Sequence, residues 1–247
     1  MCTIAILLEV VAGAPLVIAA NRDEVYARPT RPPELLAPNI AGGVDALSGG
    51  TWLAIHRDGR FAAVTNQRAL APVAPGLRSR GLAVRELIAA DDPERYVAAI
   101  DPTQYASMNL VWGDARGVSI AYARREGTLD IERLGRGISV LCNDRLGADG
   151  FPRGVRLRDA IARAPLSWPA AVPALEAALA DHTREAPPPS HLPPELAREL
   201  TATCIHTPGY GTRSSTIFAA APGETLAYLH ADGPPCTTPF VDRRGLL

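Results

Sequence analysis

Two apolar runs open the chain, Thr3 to Val10 and Leu16 to Ala20, with the turn residues Ala12-Gly13-Ala14-Pro15 between them. Short runs rich in aliphatic and β-branched residues are typical of strands that are buried on both faces. The pattern therefore predicts a β-hairpin at the N-terminus. The polar residues Asn21 to Glu24 would lie where its second strand leaves the core.

The rest of the chain alternates between groups of strands and groups of helices. Strands are predicted within Thr51 to Thr65, around an Asp58-Gly59 turn, and within Tyr105 to Leu141. Arg28 to Pro38 is interpreted as a proline-rich connection. Helices are predicted at Gly81 to Ala90, Pro93 to Ile100, Gly154 to Ala164, Ala170 to Asp181 and Glu195 to Thr201, before two last strands, Ser214 to Ala220 and Thr225 to His230. Hairpins rather than βαβ crossovers favour an α+β fold with layered antiparallel sheets.

The segment 186–194 contains five prolines and is predicted to be a rigid loop. Only about fifty residues follow it, which is too few for an independent hydrophobic core. We therefore expect one domain over residues 1–247.

Charge and hydropathy narrow the classes of partner. The 247 residues include 25 basic and 26 acidic residues, with a net charge of −1 and 47% hydrophobic residues. This balance gives no electrostatic reason to expect nucleic acid as a partner. The apolar start does not match a secretion signal, because no basic residue precedes it and Glu9, Gly13 and Pro15 interrupt it. We expect a cytoplasmic protein with no membrane span.

The cysteines and histidines are spread along the chain without a CxxC pair or another zinc-type spacing. The spacing therefore predicts neither a metal site nor a resident cofactor. The residues concerned are Cys2, Cys142, Cys204, Cys236, His56, His182, His191, His206 and His230.

Cys2 directly follows the initiator methionine. A small residue at this position allows removal of Met1, which would leave a thiol and a free α-amine on one residue. Their ordinary pKa values, about 8.5 and about 8, allow the amine to act as base for the thiol. A nearby arginine would favour the thiolate, and asparagine amides could bind a tetrahedral oxyanion. The alternative is that Cys2 is a small apolar residue that starts a strand, beside a solvated polar strand end.

Several motifs in order resemble the NRDE family, which is also called the transport and Golgi organisation protein 2 family. They are MCTIAILLE at the start, ANRDE at 20–24, GGTWLAI at 49–55, FAAVTNQR at 61–68 and YGTRSSTIF at 210–218. More distantly, this family resembles the cysteine N-terminal nucleophile hydrolases, such as penicillin V acylase and conjugated bile acid hydrolase. The resemblance implies a four-layer αββα sandwich with the nucleophile on the first strand.

The resemblance also implies roles for individual residues. Cys2 would be the nucleophile, with Arg22 and Asp23 supporting the thiolate and the α-amine. The oxyanion-hole asparagines would be Asn66 and Asn143, and Arg213 would be the last basic residue that lines the pocket.

One spacing departs from the acylases, in which two residues separate the early arginine and aspartate. Arg22 and Asp23 are adjacent, and neighbours on a regular strand point to opposite faces. Both would face Cys2 only where the strand ends or bulges. The alternatives are that Asp23 is structural, or that Glu24, on the same face as Arg22, takes its role.

Two functional hypotheses follow. The first is hydrolysis of a carbon–nitrogen amide bond in a small non-peptide substrate, or acyl transfer to another amine, through Cys2. The alternative is a non-enzymatic protein that binds and carries haem or a lipid such as acyl-CoA, because members of the resembled family are associated with such trafficking. No CxxCH motif or evident axial-ligand pair locates a haem site.

Overall fold

The predicted N-terminal hairpin lies at the centre of one of two antiparallel sheets. A computed structural model of the chain describes residues 2–67, 75–189 and 192–247. The strands in chain order are β1 (Cys2–Leu8), β2 (Leu16–Val25), β3 (Thr30–Ala37), β4 (Ile40–Asp45), β5 (Leu53–His56), β6 (Phe61–Asn66), β7 (Met108–Asp114), β8 (Gly117–Ala123), β9 (Leu129–Arg133), β10 (Gly137–Leu141), β11 (Tyr210–Ala221), β12 (Glu224–Ala231) and β13 (Val241–Asp242). The helices are α1 (Arg80–Ala89), α2 (Pro93–Ala98), α3 (Pro152–Ala162), α4 (Val172–Leu179) and α5 (Pro194–Glu199), with 3₁₀ helices at Pro102–Gln104 and Arg244–Leu246.

The two sheets pack face to face, and helices cover their outer faces. The first sheet has the strand order β10-β1-β2-β11-β12-β13, and the second has the sequential order β3 to β9. Side chains such as Ile18, Phe61 and Phe218 fill the space between the sheets. Helices α3 and α4 pack on the first sheet, and α1 and α2 pack on the second. The fold is the α+β, four-layer αββα sandwich expected from the sequence.

The continuous apolar runs of β1 and β2 reflect burial on both faces. On β1, Ile4 and Ile6 point between the sheets, whereas Ala5 and Leu7 point towards the helices. Side chains alternate along a strand, so this pattern fixes the face of every later position. Even-numbered residues of β1 and β2 face the space between the sheets.

The interpretation of Arg28 to Pro38 as a connection was wrong, because most of this segment forms β3, which pairs with β4. Its prolines made the segment resemble a loop. However, β3 is the edge strand of the second sheet, and its register with β4 shifts between Arg31 and Glu34, where Pro32 and Pro33 lie. An edge strand with such an irregularity tolerates the missing backbone N–H groups.

The proline-rich segment 186–194 is described in part. Residues 186–189 form neither helix nor strand, Pro194 begins α5, and Ser190 and His191 lie outside the described residues. Within the described ranges, no helix has the length and apolar character needed to cross a bilayer.

Candidate active site

Cys2 begins β1, and its side chain continues the inner row of that strand before Ile4. The antiparallel register pairs it directly with Arg22 on β2. Both residues line a cavity between the sheets, together with residues that include Trp52 and Thr216. The cavity measures about 10 Å³, roughly the space that one water molecule requires.

Arg22 is held beside Cys2 by its neighbours. Its side chain is 5% exposed, and its guanidinium carbon lies 4.3 Å from the ring centroid of Trp52. Nη1 donates to Thr30 Oγ1 at 3.2 Å, and Nη2 lies 3.8 Å from Glu24 Oε2. Burial lowers the pKa of Arg22, whereas the neighbouring Cys2 sulfur raises it. The arrangement places a fixed cation near the thiol.

Arg80, the first residue of α1, is a second cation that the sequence did not single out. Its Nη1 donates to Ser107 O at 3.4 Å. Burial lowers the pKa of Arg80, and the Cys2 sulfur again raises it. A thiolate at Cys2 would therefore interact electrostatically with two guanidinium groups, one from β2 and one from α1.

Ionisation of the Cys2 thiol is opposed by its surroundings, so stabilisation by nearby positive charge matters. Burial raises its pKa, and the Asp23 carboxylate raises it further. The backbone N–H of Asp23, which hydrogen-bonds the sulfur, and the charge of Arg22 both lower the pKa. Burial is the largest of these influences, and together they raise the pKa of the thiol above its ordinary value. A base must remove its proton before the sulfur can act as a nucleophile.

Asp23 and Glu24 point to opposite faces of β2. Glu24 shares the inner face with Arg22, and its Oε1 accepts from the backbone N–H of Val25 at 2.9 Å. Asp23 lies on the outer face, where Thr212 Oγ1 donates to its Oδ1 at 2.8 Å. Burial raises the pKa of Asp23. The side chain on the face of Cys2 is thus that of Glu24, and Asp23 contacts the sulfur through its backbone.

Arg213 occupies a bulge in β11. Its neighbours Thr212 and Ser214 pair with consecutive residues of β2, so Arg213 is the extra residue. Its Nη1 donates to Tyr26 O at 3.2 Å. Among the described residues, those that line the cavity at Cys2 do not include Arg213. The structure therefore places Arg213 next to the site along β11, with its guanidinium bonded to the main chain of Tyr26, which does not line the cavity either.

The two predicted asparagines are brought together from different sheets. Asn66 ends β6, and Asn143 lies two residues beyond β10. Asn143 Nδ2 donates to Asn66 O at 2.7 Å. β10 pairs Leu141 with Ile4, so Asn143 follows the end of β10 that lies beside the start of β1. Among the described residues, those that line the cavity at Cys2 include neither Asn66 nor Asn143. An amide nitrogen has two N–H donors, and the bond to Asn66 O uses one of them.

A buried polar network next to these asparagines joins the two sheets. Thr65 Oγ1 donates to Cys142 O at 2.9 Å, and Asn109 Nδ2 donates to Thr65 Oγ1 at 2.9 Å and to Asp144 O at 3.0 Å. Gln67 Nε2 completes the set by donating to Asn109 Oδ1 at 2.8 Å. Gln67 Oε1 is buried without a hydrogen-bond partner among the described residues, but the bonds made by Thr65 and Asn109 favour one arrangement of these side chains. The bonds of this network connect the end of β6 in the second sheet with the residues that follow β10 in the first.

Arg153 anchors Asn143 from the helix layer and was also missed from the sequence. It is 2% exposed, and its Nη2 donates to Asn143 Oδ1 at 2.9 Å and its Nη1 to Leu200 O at 2.8 Å. It lies on the same face of α3 as Leu157 and Ile161. An arginine in register with an apolar helix face is the signal that could have revealed it.

The sequence matches the model of one known protein family over most of its length. The model of the family described as Transport and Golgi organisation 2 matches residues 1–229. The chain belongs to this family. Relatives from Bos taurus and Homo sapiens, each named Transport and Golgi organization protein 2 homolog, are 32% identical over 228 residues, which cover 82% of this chain and 80% of each relative.

Solved structures of amide hydrolases share the fold of this Transport and Golgi organisation 2 member. Two variants of the conjugated bile acid hydrolase from Clostridium perfringens superpose with TM-scores of 0.58 and 0.55, at 12% and 11% identity, over 99% of this chain and 93% of theirs. The N-acylethanolamine-hydrolyzing acid amidase ortholog from Caenorhabditis elegans has a TM-score of 0.51 at 10% identity, over 87% of this chain and 92% of its own. At these identities the likeness shows the fold alone.

Proposed function

We propose that this protein hydrolyses a carbon–nitrogen amide bond in a small non-peptide substrate, with Cys2 as the nucleophile after removal of Met1. The observation that carries the proposal is the pairing of Cys2 with Arg22 across the central hairpin, on the face between the sheets. Acyl transfer to another amine would use the same chemistry.

The reaction would proceed in two steps at the sulfur. In the first, the α-amine of Cys2 takes the thiol proton, and the sulfur attacks the carbonyl carbon. The amides of Asn66 and Asn143 hydrogen-bond the oxyanion, and the ammonium returns a proton to the leaving nitrogen as the carbon–nitrogen bond breaks. In the second, water attacks the thioester, which releases a carboxylic acid and restores the thiol.

The charged neighbours would assist this chemistry. The guanidinium groups of Arg22 and Arg80 would stabilise the thiolate, because each interacts favourably with negative charge on the sulfur. Arg153 would hold the Asn143 amide in place. Asp23 would support the α-amine from the outer face of the sheet.

The proposed reaction requires the site to open. A cavity of about 10 Å³ has no room for an amide substrate. The ring of Trp52, stacked on Arg22, forms one wall of this cavity. Displacement of this pair is the motion that we expect to accompany substrate entry.

Intact mass, alkylation and acyl trapping test the proposal together. The proposal requires loss of Met1, pH-dependent carbamidomethylation of Cys2 by iodoacetamide, and an acyl adduct at Cys2 when N-acyl amides are supplied. N-acylethanolamines and conjugated bile acids are suitable first probes, because the structural neighbours are named for them. Peptide mapping reads each cysteine separately, so the buried Cys142 serves as an internal control for unfolding.

Matched variants decide the role of the thiol. Cys2→Ala should abolish the adduct and the hydrolysis of any amide found, and Cys142→Ala should retain both because the Cys142 thiol is free and does not line the cavity. Retained Met1, or full hydrolysis in Cys2→Ala, would refute the proposal.

A carrier role is the second candidate, and a different surface favours it. A groove of about 600 Å³ lies between β10, α3 and the proline-rich segment, and its lining includes Phe151, Val155 and Arg158. Apolar and cationic side chains together suit an acyl chain with an anionic head group. Two results together would favour the carrier. An acyl-CoA or haem would bind tightly and Val155→Asp would weaken that binding, while Cys2 would not react with alkylating reagents.

A further inference from the structure

Four metal-ligating side chains converge outside the candidate active site. His182 follows α4, Cys204 and His206 precede β11, and Cys236 lies between β12 and β13. One ligand atom from each of the four lies within 4.8 Å of every other. Because three distant segments supply them, no local sequence motif indicates the cluster. Cys204 and His206 alone form an ordinary i, i+2 pair, and from the spacing no metal site was expected.

The distances within the cluster match a tetrahedral zinc ion. Bonds of about 2.3 Å to sulfur and about 2.05 Å to nitrogen separate two sulfurs by roughly 3.8 Å, and a sulfur from a nitrogen by roughly 3.6 Å. The Cys204 and Cys236 sulfurs are 3.8 Å apart. His206 Nε2 lies 3.6 Å from the first sulfur and 3.3 Å from the second.

The fourth ligand is oriented by a hydrogen bond to the backbone. His182 Nδ1 lies 3.0 Å from Cys204 O. A carbonyl oxygen can only accept, so Nδ1 carries the proton and Nε2 keeps its lone pair. Histidine ligands of metals commonly donate their second ring nitrogen in this way.

The same geometry argues against a disulfide. A disulfide holds its sulfurs about 2.05 Å apart, whereas the Cys204 and Cys236 sulfurs are 3.8 Å apart and both thiols are free. Two imidazoles beside the pair are not needed for a disulfide but complete a metal ligand set. Cys204 is buried and the other three residues are exposed, which leaves an ion a path from solvent.

We propose that His182, Cys204, His206 and Cys236 bind one Zn²⁺ ion. Two sulfur and two nitrogen ligands in a tetrahedral arrangement suit zinc among the common divalent metals. Binding converts both thiols to thiolates and releases two protons, so the ion and the two thiolates are neutral together. Four protein ligands fill the coordination sphere, and the site is therefore structural rather than catalytic.

The ion would join the segments that support the outer wall of the candidate active site. Ile205, between two of the ligands, donates its N–H to Thr212 Oγ1 at 3.0 Å, and Thr212 Oγ1 donates to Asp23. The backbone carbonyl of Thr203 accepts from Asn21 Nδ2 at 2.9 Å. Zinc binding would thus stabilise a segment that packs directly on β2.

Metal analysis of the full-length, untagged chain tests the proposal. After loading with Zn²⁺ and dialysis, we expect one zinc ion per chain, measured by inductively coupled plasma mass spectrometry. Substitution with Co²⁺ should give the visible bands of a tetrahedral site together with sulfur-to-cobalt charge transfer. Zinc should raise the melting temperature, and a chelator should reverse that increase.

Variants separate this site from adventitious binding. Cys236→Ser and His182→Ala change exposed residues, and each should weaken zinc binding at least tenfold and remove the Zn²⁺-dependent stabilisation. Cys2→Ser, which removes a thiol outside the cluster, should retain one zinc. Substoichiometric zinc in the unaltered protein, unchanged affinity in both cluster variants, or a Cys204–Cys236 disulfide in its place would overturn the proposal.

Discussion

Acidification from pH 7 to pH 5 is expected to destabilise the fold through His230. This residue is 1% exposed, and its Nδ1 lies 3.0 Å from the hydroxyl of Thr216, which lines the cavity at Cys2. Burial, with a smaller contribution from the positive charge of Arg243, lowers the pKa of His230 from 6.5 to about 4. The folded protein therefore keeps this imidazole neutral where the unfolded chain protonates it.

The sign and size of the effect follow from that difference in pKa. The stabilisation is fully present above the unfolded pKa of 6.5 and is lost as the pH falls towards the folded value of about 4. At 1.36 kcal/mol for each pKa unit, the complete loss is about 3 kcal/mol, of which about 2 kcal/mol is lost between pH 7 and pH 5.

Urea denaturation at pH 7, 6 and 5 measures this contribution. His230→Gln cannot titrate, so its unfolding free energy should fall less over this range than that of the unaltered protein, by about 2 kcal/mol. His230→Phe should lose the same pH dependence even though it cannot hydrogen-bond Thr216. Equal pH slopes in the unaltered protein and both variants would show that the reasoning from burial is wrong.

Three further substitutions test the packing around the candidate site. Arg153→Met removes the donors to Asn143 and Leu200 and should lower the free energy of unfolding, measured in urea, by ~3 kcal/mol; a change below ~1 kcal/mol would contradict the assigned role. Trp52→Ala should accelerate alkylation of Cys2 by a bulky maleimide more than by iodoacetamide, and equal acceleration would argue against a wall at this position. Gly43→Ala would place a Cβ 2.0 Å from the same indole ring and should produce a similar size-dependent increase, whereas an unchanged maleimide rate would contradict it.

The fold was predictable where apolar patterning alone determines structure. The N-terminal hairpin, the hairpin around Asp58-Gly59 and the central strands have continuous apolar runs and turn residues that few other structures accept. The edge strand β3 was not predictable in this way. Its prolines carry a loop-like signal, and only its position at the border of the second sheet makes them acceptable.

The candidate site was predictable where its residues belong to motifs, and not where the fold assembles them. The register of β1 and β2 follows from the turn between them, so the proximity of Cys2 and Arg22 could be expected. Arg80 and Arg153 come from helices on opposite outer layers. The spacing of Arg153 with Leu157 and Ile161 indicates that this arginine is buried. The approach of either arginine to the site, however, depends on helix packing angles, which no local pattern of residues encodes.

The adjacency of Arg22 and Asp23 is consistent with the separate roles proposed for them. Arg22 and Asp23 are one position apart, and in the acylases that the chain resembles the two residues are three positions apart. Both intervals are odd numbers. On a regular strand both place the two side chains on opposite faces. The sulfur of Cys2 lies on the inner face with Arg22, whereas an α-amine belongs to the main chain and lies in the plane of the sheet. Asp23 can therefore support the proposed amine from the outer face while Arg22 supports the sulfur from the inner one.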